Sequence, residues 1–163
     1  MDIKLYTAFD PPTGSKVEEL TDFLHQHLDE FGDARADIRR AIAYALKEFP
    51  SPGGFVVGGY LDDQLVGVVV INRTGMSGYI PENILVYIAV NQEVRGKGIG
   101  KKLMHKTIEV AEGDIALHVE PENPAKFLYE KVGFTNKYLE MRFHKQENSK
   151  ASTSATQADH AKS

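Results

Sequence analysis

Cysteine is absent from this chain of 163 residues, and its absence excludes disulfides, thiolate metal sites and a cysteine nucleophile. No apolar run approaches the roughly 20 residues that a membrane-spanning helix requires. The first residues, Met1-Asp2-Ile3-Lys4, lack the basic and then apolar pattern of a signal peptide. We therefore expect a cytoplasmic protein with no membrane partner.

Strong net charge of either sign is also lacking. The formal net charge is −4, with 26% charged and 42% hydrophobic residues, which is typical of a soluble globular domain. Because nucleic-acid binding requires a strongly basic face, this mild acidity argues against a nucleic-acid partner. A chain of this length is expected to form one domain that buries roughly two-thirds of its unfolded surface.

The most informative segment is a glycine-rich run that follows the apolar residues 85–90. The run consists of Arg95, Gly96, Lys97, Gly98, Ile99 and Gly100, and a predicted helix with Lys101, Lys102 and Lys106 follows it. A strand that breaks into glycines before a helix leaves several backbone N–H groups unpaired and pointing in one direction, and the helix dipole adds partial positive charge. The segment is therefore predicted to bind phosphate.

Two well-known phosphate-binding motifs fit this run poorly. A nucleotide-triphosphatase loop needs Gly, four residues and then Gly-Lys-Ser/Thr, whereas Gly96 is followed five residues later by Lys101 and Lys102, without a hydroxyl. A dinucleotide fingerprint needs a third glycine at the position that Lys101 occupies here. Such a fingerprint also lies near the start of a βαβ unit. A flexible turn with a solvated basic face remains as the structural alternative.

The spacing of the run resembles a signature of the GNAT superfamily of acetyl-CoA-dependent N-acetyltransferases. Arg95-x-x-Gly98-x-Gly100 is similar to the family's Arg/Gln-x-x-Gly-x-Gly/Ala motif, and Ile88-Ala89-Val90, which ends four residues before it, is similar to the family's fourth strand. Residues 123–134 resemble the second signature, with Asn123, a helix bearing Tyr129, and then Gly133-Phe134. The resemblance covers residues 1–144.

Hydrophobic periodicity and turn residues, taken without reference to that family, predict the element order β-α-α-β-β-β-α-β-α-β. Strands are predicted over 3–7, 55–61, 65–72, 83–90, 115–120 and 138–144. Helices are predicted from Ser15, in a capping box with Glu18, to Gly32; from 33 or 34 to 48, with Phe49 in its core face; over 99–111; and within 123–132.

This order matches the GNAT order. The expected fold class is therefore α/β (α+β), with a mixed central sheet, an antiparallel N-terminal part, and strands splayed at the acetyl-CoA site. The domain is predicted to span residues 1–144. Residues 145–163, which contain no aromatic residue and no aliphatic residue larger than alanine, are predicted to form a disordered tail.

The resemblance implies that acetyl-CoA is the co-substrate and that the acetyl group passes directly to a primary amine in a ternary complex. No metal is expected, because the histidines and carboxylates of residues 25–33 are more typical of a solvated helix face. It places the pyrophosphate on the backbone of residues 95–100 and beside Lys101. It assigns the donors for the oxyanion to the backbone N–H groups of Ile88, Ala89 and Val90.

Two further positions correspond to family residues near the pantetheine and the nucleotide. They are Asn123 and Lys126. Asn123 alternatively caps the helix that follows it, and Lys126 alternatively is a solvated surface lysine.

Tyr129 corresponds to the family tyrosine near the coenzyme sulfur. Because a phenol titrates near ~10 and a thiol near ~8.5, full proton transfer to the thiolate is uphill. A hydrogen bond that strengthens as charge develops on the sulfur is therefore the expected role. The alternative is a ring that only packs beneath the sheet.

The general base is harder to assign, because Ile84 stands where many family members have a glutamate. Glu82 is the candidate, and His118 and Glu120 are further ones. At pH 7, neutralising an amine of pKa ~10.4 costs about 4.6 kcal/mol, whereas an α-amine near ~7.9 costs about 1.2 kcal/mol. The missing acid therefore favours an acceptor of low pKa, or a base that acts through water.

The acceptor stays open between a small-molecule amine and a protein or peptide amine. Asp29, Glu30 and Asp33 form an acidic patch near the junction of the first two predicted helices. The loop that joins these helices commonly shapes the family's acceptor site, so the patch could attract an amine. A rival function is a catalytically weak GNAT-shaped module that binds or senses acyl-CoA. Because dimers are common in the family, the resemblance also leaves room for a homodimer.

Overall fold

The structure, a computed structural model, describes residues 1–146. Within them, five strands form one sheet: β1 Asp2–Tyr6, β2 Gly54–Leu61, β3 Gln64–Arg73, β4 Asn83–Val90 and β5 Ile115–Ala116. The α-helices are α1 Gly14–Leu28, α2 Arg35–Ala45, α3 Ile99–Val110 and α4 Ala125–Lys131, with short 3₁₀ turns at Asp29–Phe31 and Gln92–Val94. All of the predicted tail except residues 145 and 146 lies outside the described residues.

The sheet is mixed, as predicted. Its strands lie in the order β1-β2-β3-β4-β5, with antiparallel neighbours from β1 to β4 and a parallel pair between β4 and β5. Asp62 and Asp63 join β2 to β3, both with positive φ, 50° and 63°, as a tight two-residue hairpin turn requires.

Helices cover both faces of the sheet. Core residues of α1 and α2 pack with one set of strand side chains, and core residues of α3 and α4 pack with the other set. Along β3, Val68 and Val70 face the first layer and Val69 and Ile71 face the second, and all four are fully buried. A strand buried on both faces has a continuous apolar run, which explains the sequence of β3.

A β-bulge interrupts the pairing of β4 with β3. Val70 pairs with Tyr87 and Ile71 pairs with Leu85, so Val86 is an extra residue on β4. Val86 and Tyr87 consequently both face the α1–α2 layer, whereas Leu85 and Ile88 face the α3–α4 layer. A bulge of this kind bends the strand and increases its local twist.

Two details of the predicted helices are wrong. The N-cap of α1 is Thr13, whose hydroxyl accepts from the Lys16 N–H at 3.2 Å, and Glu18 binds Arg35 and Arg39 instead of closing a capping box. The second helix ends at Ala45, and Phe49 is 39% exposed, because a turn at residues 46–51 carries the chain away before that residue reaches the core.

The predicted last strands are also wrong in extent. β5 covers two residues of the predicted six, and residues 135–146 form no regular secondary structure. Tyr138, Leu139, Met141 and Phe143 are between 78% and 92% exposed. Alternation of apolar and polar residues shows which face a strand can bury, but it supplies no pairing partner. Because β5 ends at Ala116, residues 138–144 have almost no strand edge with which to pair.

Close packing at the start of β2 gives a stability test. A Cβ on Gly54 would lie 1.9 Å from the Ile71 carbonyl oxygen on β3. We expect Gly54→Ala to lower the free energy of unfolding by about 3 kcal/mol, as measured by urea denaturation. Gly14→Ala is the control, because nothing lies within 4 Å of its added Cβ, and it should change stability by less than about 0.5 kcal/mol. Equal midpoints for the two variants would contradict the close approach.

Candidate functional site

The outer edge of β4 is open for most of its length. β4 and β5 pair only at Asn83 with Ile115 and at Ile84 with Ala116, whereas β4 continues to Val90. No strand of the described residues pairs with this edge beyond Ile84. Extended ligands bind such edges through the backbone N–H and C=O groups of alternate residues; Ile88, Ala89 and Val90 lie on this stretch.

Side chains at the start of β4 explain why the two strands meet only there. The Asn83 carboxamide donates to the carbonyls of Glu112 and Asp114 at 2.9 and 3.2 Å, and Asn83 is 1% exposed. The Glu82 carboxylate accepts from the Asp114 N–H at 2.7 Å. These bonds fix the turn before β5 to the start of β4, and the strands diverge after it.

The predicted phosphate loop lies beyond the other end of β4. Gly96 and Gly98 have φ of 84° and 78°, which only glycine adopts without strain, and nothing lies within 4 Å of a Cβ added at either position. α3 begins at Ile99, and Gly98 at its N-cap provides no side-chain hydrogen bond. Since Lys102 is the first residue to donate back, to the Gly98 carbonyl at 3.1 Å, the N–H groups of 99–101 lack helical acceptors.

The start of α3 packs against the core of the α3–α4 layer. Ile99 is 5% exposed in the α3–α4 layer, and a Cβ on Gly100 would lie 3.1 Å from the Leu128 Cδ2 on α4. Lys97 and Lys101 are exposed, and neither forms an ion pair with another described residue. The loop thus combines oriented N–H groups with uncompensated cations, which suits an anion.

Arg95 does not direct its guanidinium away from the protein. Its Nε donates to the Val90 carbonyl at 3.2 Å and its Nη2 donates to the His27 carbonyl in α1 at 3.1 Å. The side chain therefore binds two backbone oxygens of the protein itself. A phosphate contact of this guanidinium stays a prediction.

Tyr129 lies in the layer that contains Leu85 and Ile88 of β4. It is 7% exposed, and burial raises its pKa to about 12. Its ring centroid is 5.9 Å from that of Phe134, and both residues belong to this layer on one face of the sheet.

The Tyr129 hydroxyl has no hydrogen-bond partner among residues 1–146. By contrast, the buried Tyr60 pairs with Tyr6 at 2.7 Å and the buried Tyr87 donates to Asp33 at 2.5 Å. Tyr129 is buried, but its hydroxyl oxygen is not fully enclosed, because His27 Nδ1 is the one fully buried side-chain nitrogen or oxygen without a partner among the described residues. A phenol hydroxyl that no protein group holds is free to form a hydrogen bond with a ligand.

Asn123 and Lys126 lie at the start of α4. The Asn123 Oδ1 accepts from the Ala125 N–H at 2.9 Å and so binds the first residue of the helix, but the N-cap position itself is Pro124. Lys126 is half-buried and forms no ion pair with the other described residues. Contacts of these two residues with a coenzyme stay predictions.

The structure does not bring Glu82 to the phosphate loop. Glu82 precedes β4 at the end opposite Val90, and its carboxylate also accepts from the Gly78 N–H at 3.2 Å. Hydrogen bonds from the Asp114 and Gly78 N–H groups lower its pKa, which weakens it as a base. A catalytic role for Glu82 stays a prediction that these contacts do not favour; His118 and Glu120 are exposed after β5.

Tyr87 is a functional candidate that the sequence reasoning missed. It follows the bulge on β4 and donates to Asp33, which ties the α1–α2 loop to the middle of the strand. Asp29, Glu30 and Asp33 are exposed there, without an ion pair to any described residue. A single tyrosine within the aliphatic run 83–90 was the signal that could have found this link.

Residues 1–146 contain neither a cluster suited to a metal ion nor a helix that could span a membrane. No group of three or more histidine, aspartate or glutamate side chains is arranged to hold a metal ion. None of the helices in this part of the chain has the length and apolar character to cross a membrane.

Comparison with known proteins agrees with this arrangement. A profile of the acetyltransferase (GNAT) family matches residues 17–134. The N-alpha-acetyltransferase RimI of Mycobacterium tuberculosis is 31% identical over 101 residues, which are 61% of this chain and 63% of that protein. The chain thus matches less than two-thirds of the length of this curated relative.

Solved structures share the fold at low identity. The ribosomal-protein-alanine N-acetyltransferase of Brucella melitensis superposes with a TM-score of 0.61 at 19% identity, over 90% of this chain and 100% of that one. The aminoglycoside 6′-N-acetyltransferase of Acinetobacter haemolyticus gives 0.64 at 15% identity, over 91% and 100%.

The left-handed conformation of Gly98 can be tested directly. Alanine at this φ is strained by about 1–2 kcal/mol, whereas asparagine tolerates it better. We expect Gly98→Ala to weaken coenzyme A binding about tenfold in calorimetry, because the N–H groups at the start of α3 lose their alignment. Gly98→Asn should lose less. Wild-type affinity in both variants would show that the loop conformation does not matter for binding.

Proposed function

This chain belongs to the GNAT acetyltransferase family, and we propose that it is an N-acetyltransferase that transfers the acetyl group of acetyl-CoA directly to a primary amine. One observation carries the proposal. The open edge of β4, from residue 85 to 90, leads to the uncapped N-terminus of α3. An extended thioester with a phosphate-bearing end is the kind of ligand that complements both features at once.

The residues present fit acetyl-CoA as the co-substrate. The backbone of residues 85–90 offers strand-like hydrogen bonds to the amides of a pantetheine arm. The N–H groups of residues 99–101, with Lys97 and Lys101, offer hydrogen bonds and charge to a diphosphate. Backbone N–H groups among Ile88, Ala89 and Val90 would stabilise the oxyanion that forms when the amine attacks the thioester carbonyl.

In this proposal Tyr129 stabilises the leaving thiolate. Attack forms the new C–N bond, and collapse of the tetrahedral intermediate breaks the C–S bond. With a phenol pKa of about 12 and a thiol near ~8.5, complete proton transfer from Tyr129 would cost about 4.8 kcal/mol. Tyr129 therefore donates a hydrogen bond that strengthens as the sulfur becomes negative, and the proton lost by the amine ends on the thiol.

We further propose that the acceptor is an α-amino group of a peptide or protein. Ile84 provides no base on β4, and the Glu82 carboxylate is occupied by two N–H groups. An α-amine is neutral at pH 7 at a cost of only about 1.2 kcal/mol, so it needs less help from a base. RimI, which is named an N-alpha-acetyltransferase, supports this class.

The acidic loop between α1 and α2 would attract the acceptor. Its carboxylates at Asp29, Glu30 and Asp33 lack a cationic partner among the described residues, and the Tyr87–Asp33 hydrogen bond holds the loop against β4. An ammonium group that approaches β4 is thereby favoured electrostatically before it loses its proton.

Tyr129→Phe tests the chemical role. Because the hydroxyl has no partner to lose, we expect the free energy of unfolding to stay the same or to rise by up to about 1 kcal/mol. The kcat for thiol release with acetyl-CoA and an amine should fall about 100-fold, with coenzyme A affinity within a factor of two of wild type. Tyr138→Phe, at an exposed tyrosine, is the control and should leave all three values unchanged.

Unchanged turnover of Tyr129→Phe with normal folding would refute the catalytic role. Wild-type protein that binds coenzyme A but acetylates no amine would instead favour the binding or sensing module. Both measurements use the same purified protein and the same thiol assay.

Acceptor pKa gives a separate test. Below pH ~8, kcat/KM for a peptide with a free N-terminus should rise with pH and level off near the α-amine pKa of ~7.9. A peptide with a blocked N-terminus and a free lysine should react at least tenfold more slowly at pH 7. If the lysine peptide reacts as fast, the α-amine proposal is wrong.

A further inference from the structure

The Arg95 side chain joins three segments that are distant in sequence. Arg95 itself is the last residue before Gly96, its Nε binds the carbonyl of Val90 at the end of β4, and its Nη2 binds the carbonyl of His27 in the last turn of α1. The last carbonyls of a helix receive no hydrogen bond from the helix itself, and the helix dipole favours a cation near them. Arg95 thus connects the beginning of the glycine loop to the end of β4 and to the end of α1 through two hydrogen bonds of one guanidinium.

From this geometry we propose that Arg95 is a positioning residue, which holds the backbone N–H groups of the loop in place, and that it is not the cation that meets the diphosphate of the coenzyme. The inference rests on the proposed function. It assigns separate roles to the cations of residues 95–101: Arg95 orders the loop, and the lysines supply charge.

The surroundings of Arg95 support this division. Turning the guanidinium toward a ligand would remove the partners of the Val90 and His27 carbonyls. Arg95, Lys97 and Lys101 are all exposed, but only the guanidinium of Arg95 binds backbone carbonyls. Lys97 and Lys101 form no ion pair in the described part of the chain, so they can meet a phosphate without breaking a contact. His27 is 8% exposed, and burial, with the Arg95 charge, lowers its pKa, so its ring adds no competing cation.

The chemistry of arginine also separates the two roles. A planar guanidinium presents several N–H donors in a fixed fork and can bridge two carbonyls that face it from different segments. A lysine ammonium is a compact point charge on a flexible stem. Lysine can therefore replace arginine as a phosphate cation more readily than it can replace arginine as this bridge.

The experiment compares Arg95→Lys, Arg95→Gln and Lys97→Gln with wild type. Coenzyme A affinity is measured by calorimetry at several sodium chloride concentrations, and acetyl-CoA turnover gives KM and kcat. We expect Arg95→Lys and Arg95→Gln each to weaken binding about tenfold, to raise KM with little change in kcat, and to keep the wild-type salt dependence. Lys97→Gln should weaken binding and flatten the salt dependence, because it removes a charge that faces the ligand.

Amide hydrogen exchange of the free proteins gives an independent readout. In both Arg95 variants the amides of residues 96–101 and of the last turn of α1 should exchange faster than in wild type, whereas Lys97→Gln should not change them. This measurement also separates loop disorder from general destabilisation, which would speed exchange in the sheet as well.

Several outcomes would overturn the proposal. If Arg95→Lys binds coenzyme A as tightly as wild type, or if Arg95→Gln flattens the salt dependence as Lys97→Gln does, Arg95 acts as a charge on the ligand. Should Arg95→Lys fail to fold, the salt dependence and exchange of Arg95→Gln still decide the matter. Wild-type protein that binds no coenzyme A overturns both this inference and the proposed function, whereas normal wild-type binding with an unaffected Arg95→Lys overturns this inference alone.

Discussion

The arrangement of this protein depends on a strand that is covered on both faces and paired along one edge, but open along most of the other. Backbone N–H and C=O groups in a packed interior need partners, and beyond Ile84 the only strand of the described residues that pairs with β4 is β3, on one side. The clamp of Asn83 and Glu82 on the turn before β5 limits the parallel pairing to two residue pairs. Everything assigned to the site follows from that divergence: the free edge, the neighbouring tyrosine, and the glycine loop at the end of the strand.

Charge is segregated along the same strand. The chain is mildly acidic overall, yet lysines without an ion pair among the described residues lie beyond the end of β4. Carboxylates without a cationic partner there lie in the loop between α1 and α2, which the Tyr87–Asp33 hydrogen bond holds against the middle of the strand. An anionic co-substrate and a cationic acceptor would therefore be drawn to different flanks of one strand. The bulge at Val86 matters for this, because Tyr87 faces the α1–α2 layer and binds Asp33, whereas Leu85 and Ile88 face the layer that contains Tyr129.

Much of the fold could be predicted from the sequence, because local patterns determined it. The bounds of β4 agree with the prediction, and α3 starts as predicted. What could not be predicted depended on contacts between distant residues. Nothing in the local pattern shows that Arg35 and Arg39 take Glu18 away from a capping box, that Arg95 turns back onto α1, or that Asp114 and Gly78 occupy Glu82. The unpaired state of Tyr129 likewise appears only when all its neighbours are in place.

The exposed apolar segment at residues 138–144 has a consequence for the behaviour of the protein in solution. Large apolar side chains alternate with polar ones there and are mostly exposed, and β5, the strand nearest to them in sequence, leaves most of the β4 edge uncovered. Exposed segments of alternating apolar residues and uncovered sheet edges are features through which proteins aggregate. β1, the strand at the opposite side of the sheet, is short and bears Asp2 and Lys4, which discourage such contact. Unwanted association at high concentration would therefore begin at the C-terminal side of the sheet.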